Sequence, residues 1–226
     1  MTQLLDNIFW HCLAGPHARY AVGSDDVRRY AQGFSPIVGF AVPAQPNLDA
    51  LARHCAPGEQ LYCDGWSGAA PSGWQIDAEA SMHKMVWQSP SMPAEDETLA
   101  AVPLGPQHSA QAVELAALTR PGPFGPRTIE LGEYFGLLEV ERLIAMAGER
   151  TRAGALHEIS GVCTHPDFQG RGLARRLMDK LIRRQLQRNE VPFLHVMCSN
   201  ESAHRLYLRM GFADYRQAVV RIISRV

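Results

Sequence analysis

The sequence has no paired-cysteine framework, no membrane-length apolar run and no Walker-type phosphate loop, and each absence narrows what the chain can be. Its five cysteines, Cys12, Cys55, Cys63, Cys163 and Cys198, are odd in number and no two form a CxxC pair. That spacing argues against a disulfide scaffold and against a structural zinc site, so they read as reduced, partly buried thiols. No apolar stretch approaches the ~20 residues that a bilayer-spanning helix needs. The opening MTQLLDNIFW has no basic segment leading into an apolar core, which is the pattern of a secretory signal. The expectation is a cytoplasmic protein without membrane attachment. Charged residues are only 20% of the chain and apolar ones 46%, a balance that supports a full core rather than disorder.

Charge is nearly balanced at −1 overall but unevenly spread. Residues 1–99 carry 5 Lys+Arg against 11 Asp+Glu, and residues 100–226 carry 17 against 12. A basic C-terminal part suits an anionic ligand, although charge alone equally fits two ordinary surfaces. A break in pattern falls at Trp87–Pro106, where four prolines and a short acidic cluster interrupt the chain. It suggests a smaller N-terminal α+β domain over 1–95 and a second domain over 96–226. The first domain shows short strand-like pieces, SPIVGFAVP, EQLYCDGW and MHKMVWQS, and one helix-like piece over Asn47–Cys55.

The signals sharpen after the break. Residues His108–Leu118 read as a helix, and TRPGPFGPRT, with three prolines and two glycines, reads as a loop. Strand patterns follow at Tyr134–Glu139, Arg142–Glu149 and Ala155–Thr164, the first two at hairpin spacing. A helix is expected from Leu173 to about Arg188, apolar on one face and basic on the other. Then come a strand at PFLHVMC, a helix between a capping Asn200 and a terminating Gly211, and a last strand at Arg216–Ile223.

The stretch HPDFQGRGLARRLM places Gly170 and Gly172 where a helix begins. Glycine costs a helix about 1 kcal/mol relative to alanine. It does, however, let an anion approach the unpaired N–H groups of a helix start. The dinucleotide fingerprint GxGxxG fails at its third position, which is Arg175, whereas Q/R-x-x-G-x-G/A is matched throughout by QGRGLA, Gln169 to Ala174.

On that motif, and on the flanking EISGVCTHPDFQGRGLARRLM and NESAHRLYLRMGF, the chain resembles the GNAT superfamily of acyl-CoA-dependent N-acetyltransferases over about residues 100–226. The resemblance implies an α/β (α+β) fold with a mixed central sheet whose fourth and fifth strands splay apart to admit acetyl-CoA. It implies that the backbone of Val162, Cys163 and Thr164 pairs with the pantetheine arm and polarises the thioester carbonyl. The N–H groups of Gln169, Gly170, Arg171, Gly172, Leu173 and Ala174 would hold the pyrophosphate, with Arg171, Arg175 and Arg176 within reach of its charge. Asn200 would cap its helix and touch the pantetheine arm, Ala203 would pack on the donor, and Tyr207 would give a proton to the leaving thiolate. Glu158 is the candidate general base, with a pKa expected to be raised by desolvation. His165 reads as part of the loop turn and Cys163 as a core thiol.

In such enzymes the loop after the first helix lines the acceptor side, which nominates Phe124 and Arg127 as substrate contacts. The size and short strands of residues 1–95 suit a degenerate copy of the same fold, and their acidic balance hints at a cationic acceptor. The activity implied is direct acetyl transfer to a primary amine of a small molecule, protein or peptide, without a metal or nucleic acid, by a monomer or homodimer. The alternative is a non-catalytic acyl-CoA-binding sensor or regulatory module.

Overall fold

The computed structural model describes residues 2–226. A 3-10 turn leads into α1 (Ile8–Ala14), followed by three short antiparallel strands, β1 (Ala21–Gly23), β2 (Val27–Tyr30) and β3 (Val38–Phe40). After α2 (Leu48–Leu51) come β4 (Leu61–Asp64) and the long β5 (Trp74–Trp87). The remainder runs β6 (Val102–Pro103), α3 (Ser109–Thr119), β7 (Tyr134–Glu139), β8 (Arg142–Ala153), β9 (Leu156–Thr164), α4 (Leu173–Gln187), β10 (Val191–Met197), α5 (Glu201–Met210) and β11 (Phe212–Arg225).

Eight strands form one mixed sheet in the order β4-β11-β5-β10-β9-β8-β7-β6. This corrects the division expected at residue 95. Strand β5 lies between β10 and β11, pairing with one from Phe193↔Val86 to Met197↔Met82 and with the other from Phe212↔Trp87 to Arg225↔Trp74. A strand of 14 residues carrying buried Met82, Met85, Val86 and Trp87 is stable only with both edges paired. Residues 1–95 are therefore not set apart from the rest: β4 and β5 complete the large sheet, while β1, β2 and β3 form a three-stranded sheet of their own. The N-terminal helix joins the core of the large sheet: Leu5, Ile8, Phe9 and Leu13 pack with Leu131, Ala153, Leu156 and Phe193.

Helices α4 and α5 cover the opposite face. The apolar spacing in α4 buries Leu177, Met178, Leu181 and Ile182 completely against Ala145, Ala147, Ile159 and Leu194. Each such side chain contributes about 1.5–3 kcal/mol of burial. Helix α3 packs Ala112 and Leu115 on Met146 and Cys163. The caps of α5 are those expected: Asn200 Oδ1 accepts the N–H of Ala203 at 3.2 Å, and Gly211 ends the helix at φ 112°. Among the described residues no helix is long and apolar enough to cross a membrane.

Candidate active site

Strands β9 and β10 are the parallel pair of this sheet, and their register holds only from Val191↔Leu156 to Phe193↔Glu158. Beyond that point they part. Ile159–Val162 on one side and His195–Met197 on the other line a cavity of about 380 Å³. On the β8 side, β9 bulges between Ser160 and Cys163, with Gly161 at φ 63°. A Cβ on Gly161 would stand 3.1 Å from the Tyr134 ring.

The phosphate-loop candidate follows directly from β9. Gly170 and Gly172 have φ 76° and 72°, and nothing lies within 4 Å of a Cβ built on either. Internal packing therefore does not demand glycine here. The left-handed backbone does, and so would an anion seated against the chain. The helix ladder begins with the Arg176 N–H donating to Gly172 at 3.1 Å, which leaves the preceding N–H groups at the open end of α4. The arginines nearby are less free than their sequence implies. Arg176 is held by Asp96 at 2.6 Å, Arg171 lies over the Phe168 ring at 4.8 Å, and Arg175 sits 3.7 Å from Asp179. Farther along, Arg184 and Arg188 are paired to Glu133. The basic face of α4 is largely an ion-paired surface.

Asn200 and Tyr207, both on or capping α5, line the cavity opposite Val162, and half-buried Ala203 packs on the same core as Tyr207. Burial alone pushes the Tyr207 hydroxyl up to about 12, so it stays protonated through neutral pH. Cys163 faces away, into the α3 cluster, and burial raises its thiol to about 11. That environment is inert. His165 is structural as expected: Nδ1 accepts the Asp167 N–H, and Nε2 lies 2.6 Å from Arg142.

Glu158 departs from its expectation. It is fully buried and does not line the cavity. Its carboxylate accepts hydrogen bonds from Arg150 Nε at 3.1 Å and Nη2 at 2.6 Å, from the Thr151 N–H at 3.1 Å and from Thr151 Oγ1 at 2.6 Å. His195 Nδ1 lies 2.8 Å from its other oxygen. Burial raises its pKa, but Arg150 and then His195 outweigh that, and the carboxyl is held well below the usual range. A sealed, fully paired carboxylate is a poor proton acceptor, so the raised pKa expected of Glu158 is reversed.

The loop after α3 does reach the cavity, but through Arg120, Pro121, Gly122 and Pro123. Arg127 is turned away, forked onto Glu130 at 2.9 and 2.8 Å and stacked on Phe34 at 4.3 Å. Phe124 packs edge-on against Tyr134, behind Gly161. The rest of the wall is one that sequence reading did not assign. Phe9, Ile37, Tyr62 and Met82 come from the N-terminal segment, and Val220 and Ile222 from β11. It is mostly apolar. Its acid, Glu79, is engaged by Arg221 at 2.6 Å, so the acidic balance of residues 1–99 is not expressed as an open anionic pocket.

His195 and Arg150 were also missed. Alternation in PFLHVMC places His195 on the face of Phe193, but its link to Glu158 spans 37 residues and leaves no local pattern.

The family model described as FR47-like protein matches residues 134–221. Over nearly its whole length the chain is similar to a protein of Novosphingobium aromaticivorans DSM 12444 named as an acetyltransferase of the GNAT family. The two are 34% identical over 98% of each chain, with a TM-score of 0.88. A GCN5-related N-acetyltransferase from Kribbella flavida is 14% identical, covering 95% of this chain and 93% of the other, with a TM-score of 0.61. A GCN5-related N-acetyltransferase-like protein from Streptococcus suis 89/1591 is 16% identical over 97% and 92%, with a TM-score of 0.59. These two are likenesses of fold. No curated protein matches the chain significantly.

Proposed function

The chain belongs to the GNAT family of acetyltransferases, and from that premise we propose that it transfers an acetyl group from acetyl-CoA to a primary amine with an apolar body. The observation that carries this reading is the continuity of the cavity. The same cavity is lined by the gap between β9 and β10 with Asn200 and Tyr207, and by a wall of Phe9, Ile37, Tyr62 and Met82. A donor in the gap and an acceptor against the apolar wall would share that one space.

The residues present fit the donor. Open space around Gly170 and Gly172 leaves a cradle that a Cβ would fill, so the N–H groups from Gln169 to Ala174 would hold the pyrophosphate. The backbone of Val162, Cys163 and Thr164 and the side chain of Asn200 would hold the pantetheine arm. When bound, acetyl-CoA supplies an activated thioester. Backbone N–H groups along β9 would polarise its carbonyl, and the protonated Tyr207 would donate to the sulfur as charge develops there. The apolar wall excludes water and orients the acceptor's body, which assigns residues 1–95 to acceptor recognition.

The test is calorimetry with acetyl-CoA, followed by thiol release against a panel of primary amines. Binding, and release with apolar amines, is the expected result. Binding without release for any amine would replace the enzyme with an acyl-CoA-binding module, and absence of binding would overturn both.

A further inference from the structure

Building on the acyl-transfer reading, we propose that His195 is the general base that deprotonates the acceptor amine, and that Glu158 is its positioning residue. Three observations carry this. His195 is part of the cavity wall, two residues beyond the last position at which β10 pairs with β9 and therefore at the apex of the splay. Its Nδ1 lies 2.8 Å from a Glu158 oxygen. Its Nε2 is buried and has no hydrogen-bond partner.

The tautomer follows from chemistry. A Glu158 carboxylate can only accept, so Nδ1 must carry the proton, and in the neutral ring Nε2 is then the bare nitrogen. A buried acceptor without a partner costs roughly 1–3 kcal/mol, and functional sites are where such groups are kept. Glu158 cannot swing away to do the work itself, since Arg150 and both donors of Thr151 fix it. The ring is further held by Phe9 at 5.5 Å and Phe193 at 5.6 Å between centroids.

The step balances simply. An ammonium entering the cavity gives one proton to Nε2, directly or across one water, and becomes the neutral nucleophile. As the N–C bond forms and the C–S bond breaks, Tyr207 would give its proton to the sulfur, and the second proton, shed by the nitrogen, would return through water to the Tyr207 phenolate. The imidazolium, paired to Glu158, returns its proton to solvent after product leaves. The charged groups around the ring are Glu158 on β9, Arg150 on β8, and Lys84, its register partner on β5, which is itself bound to Asp64 at 2.5 Å. The Glu79–Arg221 pair closes the cavity rim.

Two measurements test this. The first needs no acceptor: long-range ¹H–¹⁵N correlation spectra of the native protein at pH 8, with the His195 signals assigned by their loss in His195→Gln. A protonated Nδ1 and bare Nε2 are expected, and a proton on Nε2 overturns the proposal. The second uses acetyl-CoA with 2-phenylethylamine, an apolar primary amine. His195→Gln should lower kcat/KM about 10²-fold or more, abolish the acidic limb of its pH profile, and recover partly with added imidazole. Acetyl-CoA affinity by calorimetry should stay within twofold. Glu158→Gln should weaken kcat and scramble the His195 tautomer. A His195→Gln variant that keeps the native rate and pH profile overturns the proposal. If the native enzyme acetylates no amine, the acyl-transfer reading fails instead, and the spectra still decide whether His195 is built as a base.

Discussion

Replacing Glu158 by glutamine tests the arrangement at the floor of the site, because it removes one charge and leaves the shape. Glu158 is fully buried and Arg150 is 7% exposed. The variant leaves the guanidinium buried without a counter-charge, with one amide oxygen and the Pro123 carbonyl at 3.5 Å as its acceptors. It also turns an amide NH₂ toward groups that are themselves donors, among them the Arg150 fork and Thr151. Breaking a buried pair by deleting one partner costs about 3–5 kcal/mol. For a domain of this size each kcal/mol moves Tm by roughly 2–4 °C, so the expected fall is roughly 6–20 °C. Circular dichroism during heating, with urea unfolding for the free energy, reads it.

The pH dependence has a definite sign. The folded carboxyl is lowered from its ordinary 4.5, so its contribution is complete above that value and is lost as pH falls through the lower folded-state value. The gap between native and variant should therefore be full at pH 7 and shrink progressively as pH falls below 4.5 toward the lower folded-state value. The double variant Arg150→Met with Glu158→Leu removes both charges and should regain more than half of the loss. A Glu158→Gln variant that loses less than about 1 kcal/mol at pH 7 would refute the burial and pairing on which this rests.

Two further substitutions probe the donor end. Gly172→Asn keeps a residue type that tolerates a left-handed backbone, so stability should fall by less than about 1 kcal/mol. Its side chain enters the space left open around φ 72°, and calorimetric affinity for acetyl-CoA should drop at least tenfold; undiminished affinity would remove this loop from the site. Tyr207→Phe deletes a hydroxyl whose shift comes from desolvation alone, so Tm should hold while kcat falls about 10²-fold. A native kcat would end its role as proton donor.

The C-terminal part of the fold was legible because its signals are local. The heptad-like apolar face of α4, the Asn200 and Gly211 caps, and the glycines ahead of α4 each lie within a few residues of what they determine. Expected and observed helix limits there differ by a residue or so at each end. The segment Thr119–Thr128 was also legible as a loop, but the side chains it presents to the cavity were not. Gly125 approaches Gly33 and Phe34 so closely that a Cβ would stand 2.4 Å from the Gly33 carbonyl oxygen. That contact with the N-terminal segment swings Arg127 outward onto Phe34 and leaves Pro121 to Pro123 facing the cavity.

Where local pattern misled, the cause is the same at each site: a partner from far along the chain. MHKMVWQS looks like a strand of a small independent domain, yet what decides its place is that β10 and β11 each have one edge unpaired until β5 fills the gap between them. Glu158 looks like a desolvated acid if only ISGVC is considered. Its protonation is set instead by Arg150 on β8 and His195 on β10, which the sheet brings together from either side. The same assembly leaves His195 Nε2 without a partner. Inserting β5 beside β10 sets Lys84 opposite His195, and Lys84 is spent on Asp64 and the Leu5 carbonyl, so it neither donates to nor repels from Nε2 by a direct bond. The N-terminal 95 residues thus do more than line the cavity. Through β5 they complete the sheet that holds His195 against Glu158.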